Sequence, residues 1–202
     1  MQPEEYDAWY ATQRGAWIGN VEYRMLTDLL VPRAGETLLD VGADLDFKAA
    51  RYAARRGKAA FLVADARCLP FEDRSFDLVI SVAALCFVPN PEQALAEMLR
   101  VARRRVGLGL LNRRSLLYLA KSGRGAYRGA RWHTQHEVAC LFAKQRAGSL
   151  TLRTGAILPG CGRTAQRIEP CLRRLAPGCG AFIAAAADVP STYLRNPQTS
   201  PS

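Results

Sequence analysis

The chain is short of the features that assign a protein quickly, and each shortage excludes something. Only two of its 202 residues are histidine, and none of its six cysteines (Cys68, Cys86, Cys140, Cys161, Cys171 and Cys179) falls in a C-x-x-C pair. Structural zinc centres are built on such close pairs, so no metal is expected. A disulfide framework belongs to secreted chains. The first residues, Met1-Gln2-Pro3-Glu4-Glu5, have neither the basic nor the apolar region of a signal peptide. The thiols therefore read as free and the protein as cytoplasmic. Long hydrophobic runs are missing too. The longest, Ala181 to Ala187, is far short of the roughly 20 residues a membrane span requires.

One region lacks acid altogether. Between Met98 and His136 stand ten basic residues and no Asp or Glu: Arg100, Arg103, Arg104, Arg105, Arg113, Arg114, Lys121, Arg124, Arg128 and Arg131. This stretch accounts for the net charge of +10. It suits phosphates, an anionic membrane surface or an acidic partner, and equally an arginine-rich solvated face. Aromatic residues that could stack on bases are limited here to Tyr118, Tyr127 and Trp132. RNA is thus a secondary expectation, carried by residues 100–131 alone.

What is present is a globular pattern. With 49% hydrophobic residues in 202, one domain with a full core is expected. Residues 4–31 have helical spacing (Trp17, Ile18, Val21, Met25, Leu26, Leu29, Leu30) and stop at Pro32 and Gly35. Residues 37–41 read as a buried strand ending in Asp40, followed by Gly42. A helix over 46–56, with Asp46 as N-cap, and a short strand over 60–64 follow. The spacing then predicts a strand over 76–82, a helix from Pro91 to about Arg104, and a strand over 106–111. A Gly- and Arg-rich loop around Gly123-Arg124-Gly125 comes next. Thr134-Gln135-His136-Glu137 has the form of a capping box opening a helix to about Arg146. Strands over 149–154 and 181–186 flank a helix from about Thr164 to Leu175. Strands alternating with helices imply a largely parallel sheet covered on both faces. No internal repeat is visible. The expected organisation is one domain over 1–187, with 1–35 as an N-terminal helical cap, and a disordered tail over 188–202.

Residues 61–101 resemble class I S-adenosylmethionine-dependent methyltransferases of the small-molecule type. The run Phe61-Leu62-Val63-Ala64-Asp65-Ala66-Arg67-Cys68-Leu69-Pro70-Phe71 has the strand-end acid and the Leu-Pro-Phe turn. Phe76-Asp77-Leu78-Val79-Ile80-Ser81 supplies the next strand, and Pro89-Asn90-Pro91 the helix start that leads to Glu97-Met98-Leu99-Arg100-Val101. Each piece is weak alone; their order and spacing together are specific. The likeness runs over roughly residues 6–187 and includes Arg131-Trp132-His133-Thr134.

The resemblance implies a Rossmann-like α/β fold with helices on both faces, a last strand that is antiparallel, and S-adenosylmethionine lying across the carboxyl ends of the first strands. Carried over by position, Asp40 and Gly42 match the end of the first strand, Asp65 and Ala66 the residues that hold the adenine, and Ser81 with Val82 the strand end beside the methionine part. The departure lies between Gly42 and Ala60. Laid on the family's D-x-G-x-G-x-G loop, the second and third glycines become Asp44 and Asp46, which resist the close backbone approach glycine allows. A better register makes Asp44 the ribose acid and removes the glycine loop, the first helix and most of the second strand, on the order of 15–20 residues. That leaves about six strands, with strand 37–41 expected directly beside 60–64.

Other candidates are weaker. His133, His136 and Cys140, at i, i+3 and i+7, would share one helical face, a conceivable metal set, though the capping box accounts for the segment without metal. Either histidine could serve as a general base or simply sit on the surface. Cys86 reads as a small buried hydrophobe. Asp65 could merely cap a turn. Ser81-Val82-Ala83-Ala84 stands where nucleic-acid amino-methylases carry Asn/Asp-Pro-Pro-aromatic, which argues against base methylation. The expected function is methyl transfer to a small-molecule acceptor. The alternatives are a non-catalytic relative acting as partner or scaffold, and an anionic-surface or RNA-associated protein. No catalytic residue and no oligomeric state can be read from the chain.

Overall fold

The computed structural model describes residues 8, 11–42, 62–157, 171 and 174–190. The first element, α1 (Gln13–Leu30), begins where the Thr12 hydroxyl accepts from the Gly15 N–H at 3.0 Å and ends with Val31 in the left-handed region. Its apolar positions Ile18, Met25, Leu26, Leu29 and Leu30 are buried. Burying each such side chain contributes roughly 1.5–3 kcal/mol.

Five strands follow among the described residues: β1 (Leu38–Asp40), β2 (Phe76–Val82), β3 (Ala102–Leu111), β4 (Leu150–Gly155) and β5 (Phe182–Asp188). They form one sheet in the order β1-β2-β3-β5-β4. β1, β2 and β3 are parallel, and β5 runs antiparallel to both its neighbours. The expected antiparallel last strand is therefore present, inserted beside β3.

Between the strands lie α2 (Pro91–Val101), α3 (Leu116–Lys121) and α4 (Gln135–Lys144), with 3-10 turns at Ala84–Phe87 and Gly125–Tyr127. Asn90 caps α2, and the reciprocal Thr134–Glu137 capping box opens α4 as the sequence predicts. α3 falls where only a loop is expected. Ser115 starts it, accepting from the Tyr118 N–H at 3.1 Å while donating to the Asn112 carbonyl at 2.7 Å.

Alternate strand residues feed two cores. Leu78, Phe182, Ala184 and Ala186 face α1. Val79, Val106, Leu108, Leu110, Ile183 and Ala185 face the other side, with Leu95, Met98 and Leu99 of α2 and Val138 and Phe142 of α4. The α1 face is flattened by glycine: a Cβ at Gly107 would lie 3.1 Å from Leu30.

Three expectations change. The strand over 60–64 is not formed in its described part, Leu62–Ala64, and its first two residues lie outside the described residues. So do the whole of the helix over 46–56 and most of that over 164–175. The described neighbour of β1 is β2, not 60–64, and the sheet shows five strands rather than six. The β1–β2 register is pinned at its start: the Thr37 N–H and hydroxyl both donate to the Asp77 carboxylate, at 2.9 and 2.8 Å, and the Asp77 N–H returns a bond to the Thr37 hydroxyl.

Finally, the helix from Pro91 ends at Val101, and Ala102–Arg105 extend β3 instead. The reason is electrostatic. Arg103, Arg104 and Arg105 alternate along the strand and meet Asp77, Glu36 and Asp188, partners that a helix could not reach. Among the described residues, no helix is long and apolar enough to cross a membrane.

Candidate functional site

Because β1, β2 and β3 are parallel, their carboxyl ends share one edge of the sheet, and Asp40, Gly42 and Ser81 come together there. Asp40 pairs in register with Ile80, and the next residue, Val41, donates its N–H to the Ile80 carbonyl at 2.7 Å. The Asp40 carboxylate has no hydrogen bond or ion pair among the described residues. The residue is exposed by surface area, yet protein atoms crowd its carboxyl closely enough for desolvation to raise its pKa. Water still reaches one side, so the effect is a direction and not a large penalty. A Cβ at Gly42 would meet nothing within 4 Å. Internal packing does not demand glycine here; open space lies beside it.

At the end of β2, Ser81 is fully buried and its hydroxyl has no partner. The chain then turns at Ala83, which adopts φ 58°, ψ −19°. A non-glycine residue in this region costs of order 1–3 kcal/mol and marks a place where the surroundings dictate the backbone. The Ala83 N–H donates to the Gly109 carbonyl at 2.8 Å. Glycine at 109 leaves room for the end of the Phe182 ring, which a Cβ there would meet. Cys86, just beyond, is buried and accepts from the Leu111 N–H at 3.4 Å; burial pushes its thiol up to about 11. It is the small hydrophobe its position suggests.

Asp65 behaves differently from Asp40. Its carboxylate accepts from the Arg67 N–H at 2.8 Å and from the guanidinium at 2.7–3.1 Å, and its carbonyl accepts from the Cys68 N–H at 2.9 Å. The guanidinium holds its pKa down to about 2. Asp65 therefore caps its own turn, while the neighbouring Ala66 is buried in the same core as Val41. The Leu69-Pro70-Phe71 turn that follows is braced from α2. Glu97 accepts from the Leu69 N–H at 2.9 Å, and Arg100 donates to the Leu69 and Phe71 carbonyls at 3.0 and 2.9 Å. This explains why Leu-Pro-Phe and Glu-x-x-Arg belong to one motif although they lie far apart in sequence. Asp44 lies outside the described residues.

The histidines separate. His133 precedes the helix; its backbone is bridged to Asn112, its ring is buried with Nε2 unpartnered, and burial lowers its pKa so that it stays neutral. His136 is on the surface of α4 with Nε2 3.6 Å from the Cys140 sulfur. The three residues thus do not share one helical face, and no group of three metal-ligating side chains exists among the described residues.

Two further residues shape this edge and were not singled out from the sequence. Ala83 gives no signal, since alanine does not mark a left-handed turn. Asn112 does give one, a lone polar residue directly after an apolar strand. Fully buried, it donates to the Gly178 and Gly180 carbonyls at 2.7 and 2.6 Å and accepts from the Arg114 N–H at 3.0 Å.

Comparison with known proteins follows these features. Residues 26–107 match a methyltransferase domain model. An uncharacterized protein of Mycobacterium tuberculosis is 32% identical over 161 residues, covering 68% of this chain and 55% of that protein. The chain thus spans about half the length of the curated relatives it matches first. Those 161 aligned positions outnumber the residues that 68% of a 202-residue chain supplies, so the relative carries residues inside the match that this chain lacks. The demethylmenaquinone methyltransferase of Renibacterium salmoninarum is 49% identical over 49 residues, 24% of this chain and 21% of that enzyme. A solved S-adenosylmethionine-dependent methyltransferase of Thermotoga maritima has the same fold, with a TM-score of 0.67, 19% identity, and 93% and 96% of the two chains covered. The matched segment runs from α1 through the braced turn into β3, and the sheet beyond it closes with the antiparallel strand the resemblance implies: the chain carries a methyltransferase domain over residues 26–107 and has the fold of S-adenosylmethionine-dependent methyltransferases.

Proposed function

We propose that this chain transfers a methyl group from S-adenosylmethionine to a small-molecule acceptor. The observation that carries the reading is Asp40: an unpartnered carboxylate, crowded by protein, at the carboxyl end of β1 and next to open space at Gly42. A partly desolvated carboxylate without a protein partner suits a ligand carrying cationic sulfonium and ammonium groups. When bound, the cofactor supplies an electrophilic methyl for in-line displacement by an oxygen, nitrogen or carbon of the acceptor.

The chain's part is binding and orientation, which can supply most of the acceleration in such a transfer. Asp40 would accept from the ammonium group, and Gly42 would let the ligand approach the backbone. The buried Ser81 hydroxyl, which lacks a partner, would stand beside the methionine part. Asp65 and Ala66 would hold the adenine, and Asp44 the ribose. The acceptor class is supported by the Renibacterium relative, whose name specifies a demethylmenaquinone substrate. The chemistry of Ser81-Val82-Ala83-Ala84 does not fit a flipped base.

A second reading, a non-catalytic relative with a degraded cofactor site, is favoured by two observations. Arg67 occupies the Asp65 carboxylate, and the chain lacks residues that its relative carries inside the match. Losing two or three backbone hydrogen bonds to a charged ligand, at roughly 1.5–3 kcal/mol each, removes several kcal/mol. Isothermal titration with S-adenosylmethionine and with adenosine separates the readings. Methyl transfer requires measurable S-adenosylmethionine binding, weaker than in relatives with an intact loop and retained in large part by adenosine. Silence from both ligands at millimolar concentration would leave only the non-catalytic reading.

A further inference from the structure

The basic stretch is two different things in the fold. At the end of α2 and the amino end of β3, Arg100, Arg103, Arg104 and Arg105 each hold an acid, and Arg104 and Arg105 also donate to the carbonyls that end α1, those of Leu29, Leu30 and Val31. Their charge is spent internally. Beyond the carboxyl end of β3 the situation reverses. Arg113 holds Glu137, but Arg114, Lys121, Arg124, Arg128 and Arg131 make no ion pair with the described residues.

One of these free charges, Arg114, lines a cleft. Between the start of α3 and the turn before β5 opens a space of about 470 Å³, lined by Arg113, Arg114, Leu116, Leu119, Pro177 and Cys179, among others. β3 ends where β5 begins, with Leu111 opposite Phe182, so this cleft opens on the same sheet edge as Asp40 and Ser81. Its two walls are fastened to each other by Asn112, which bonds Arg114 on one side and Gly178 and Gly180 on the other. Leu116 and Leu119 are 54% and 76% exposed, an apolar surface without cover. Beneath α3, Tyr118 packs edge-on against Trp132 at 5.3 Å between ring centres, which anchors the helix to the core.

A free guanidinium beside leucine on one wall, with proline facing them on the other, is complementary to a molecule that joins an anionic head to an apolar body. We infer that this cleft takes the acceptor, and that the acceptor is an anionic amphiphile. Its carboxylate or phosphate head sits on Arg114, and its alkyl or aryl body covers Leu116, Leu119 and Pro177. The inference rests on the methyl-transfer reading for the word acceptor, but the binding event does not. A guanidinium–phosphate contact supplies the charge-assisted part of the affinity and the direction of binding. Burial of the chain supplies the rest.

The test is isothermal titration of the full chain with octyl phosphate below its micelle concentration, with 1-octanol and inorganic phosphate as the two half-ligands. Octyl phosphate is expected to bind at least tenfold more tightly than either half. Arg114→Gln and Leu119→Asp should each weaken it at least tenfold, Arg114→Lys should recover part of the loss, and binding should fall as salt rises. Both positions are exposed, so both variants are expected to fold, which circular dichroism checks. Unchanged affinity in Arg114→Gln overturns the assignment. So does binding seen only with vesicles of anionic phospholipid and not with monomeric octyl phosphate, which would make the surface a membrane contact. A parallel S-adenosylmethionine titration separates the two proposals: cofactor binding without octyl phosphate binding removes this subsite alone, and the converse removes only the cofactor reading.

Discussion

Asp40 ends β1 and Asp65 opens the turn before Leu69, and the two carboxylates have opposite electrostatics, a difference that bears on function. Asp65 is satisfied by Arg67 and titrates low; Asp40 has no partner and titrates high. The sign for Asp40 follows from linkage. A raised folded pKa means folding favours the protonated form, so the group's contribution is fully present below the ordinary carboxylate pKa and is lost as pH rises through the folded value. At neutral pH the ionised carboxylate therefore works against folding. Asp40→Asn should raise the thermal midpoint near pH 7 and leave it unchanged near pH 3, where Asp is already protonated. Thermal melts at the two pH values check this. A midpoint that falls at neutral pH would mean that Asp40 has a stabilising partner after all and is a structural residue.

At the scale of elements, the sheet's ends are set by close approaches that few residues permit. Gly109 gives way to the Phe182 ring across the β3–β5 pair while holding the Ala83 turn. Gly109→Ala should destabilise by about 1–3 kcal/mol, the range for overpacking a filled core. Combined with Phe182→Leu it should lose less than the sum of the two single changes, because the clash goes with the ring. Denaturant melts of the four proteins test this; strict additivity would place the strain elsewhere.

The same scale shows what the sequence made legible. β2, α2, the capping box of α4, β4 and β5 were all readable, because each carries its own period or cap. The boundary at Val101 was not, since Ala102-Arg103-Arg104-Arg105 has no apolar alternation and becomes strand only through acids distant in the chain. Nor was α3, a single turn and a half that depends on Ser115 and on packing of Tyr118 against Trp132. Of the candidate site, Asp40, Gly42 and Ser81 could be placed from the family motif. The locking of Asp65 by Arg67 could have been suspected from their i, i+2 spacing, whereas the left-handed turn at Ala83 could not.

Across the whole molecule, a formal charge of +10 overstates what a polyanion would meet. Four arginines at the end of α2 and the amino end of β3 bind the fold together, so reversing Arg103 and Arg104 should lower the thermal midpoint and leave retention on heparin nearly unchanged. Reversing Arg114, Arg124 and Arg128 should do the opposite, reducing the salt needed for elution, since only unpaired cations release counterions on binding. Equal loss of retention from both sets would contradict this division of the charge.

The central claim is that the carboxyl edge around Asp40 and Gly42 is a cofactor site partly closed by the Arg67–Asp65 pair, and one titration addresses it directly. S-adenosylmethionine is titrated into the natural chain, Asp40→Asn and Arg67→Ala under identical conditions. A charged hydrogen bond is worth roughly 1.5–3 kcal/mol, so Asp40→Asn should weaken binding about tenfold to a hundredfold. Arg67→Ala frees the Asp65 carboxylate, proposed to hold the adenine, and should tighten binding. Binding that neither substitution alters, or no binding by any of the three proteins, would contradict the account.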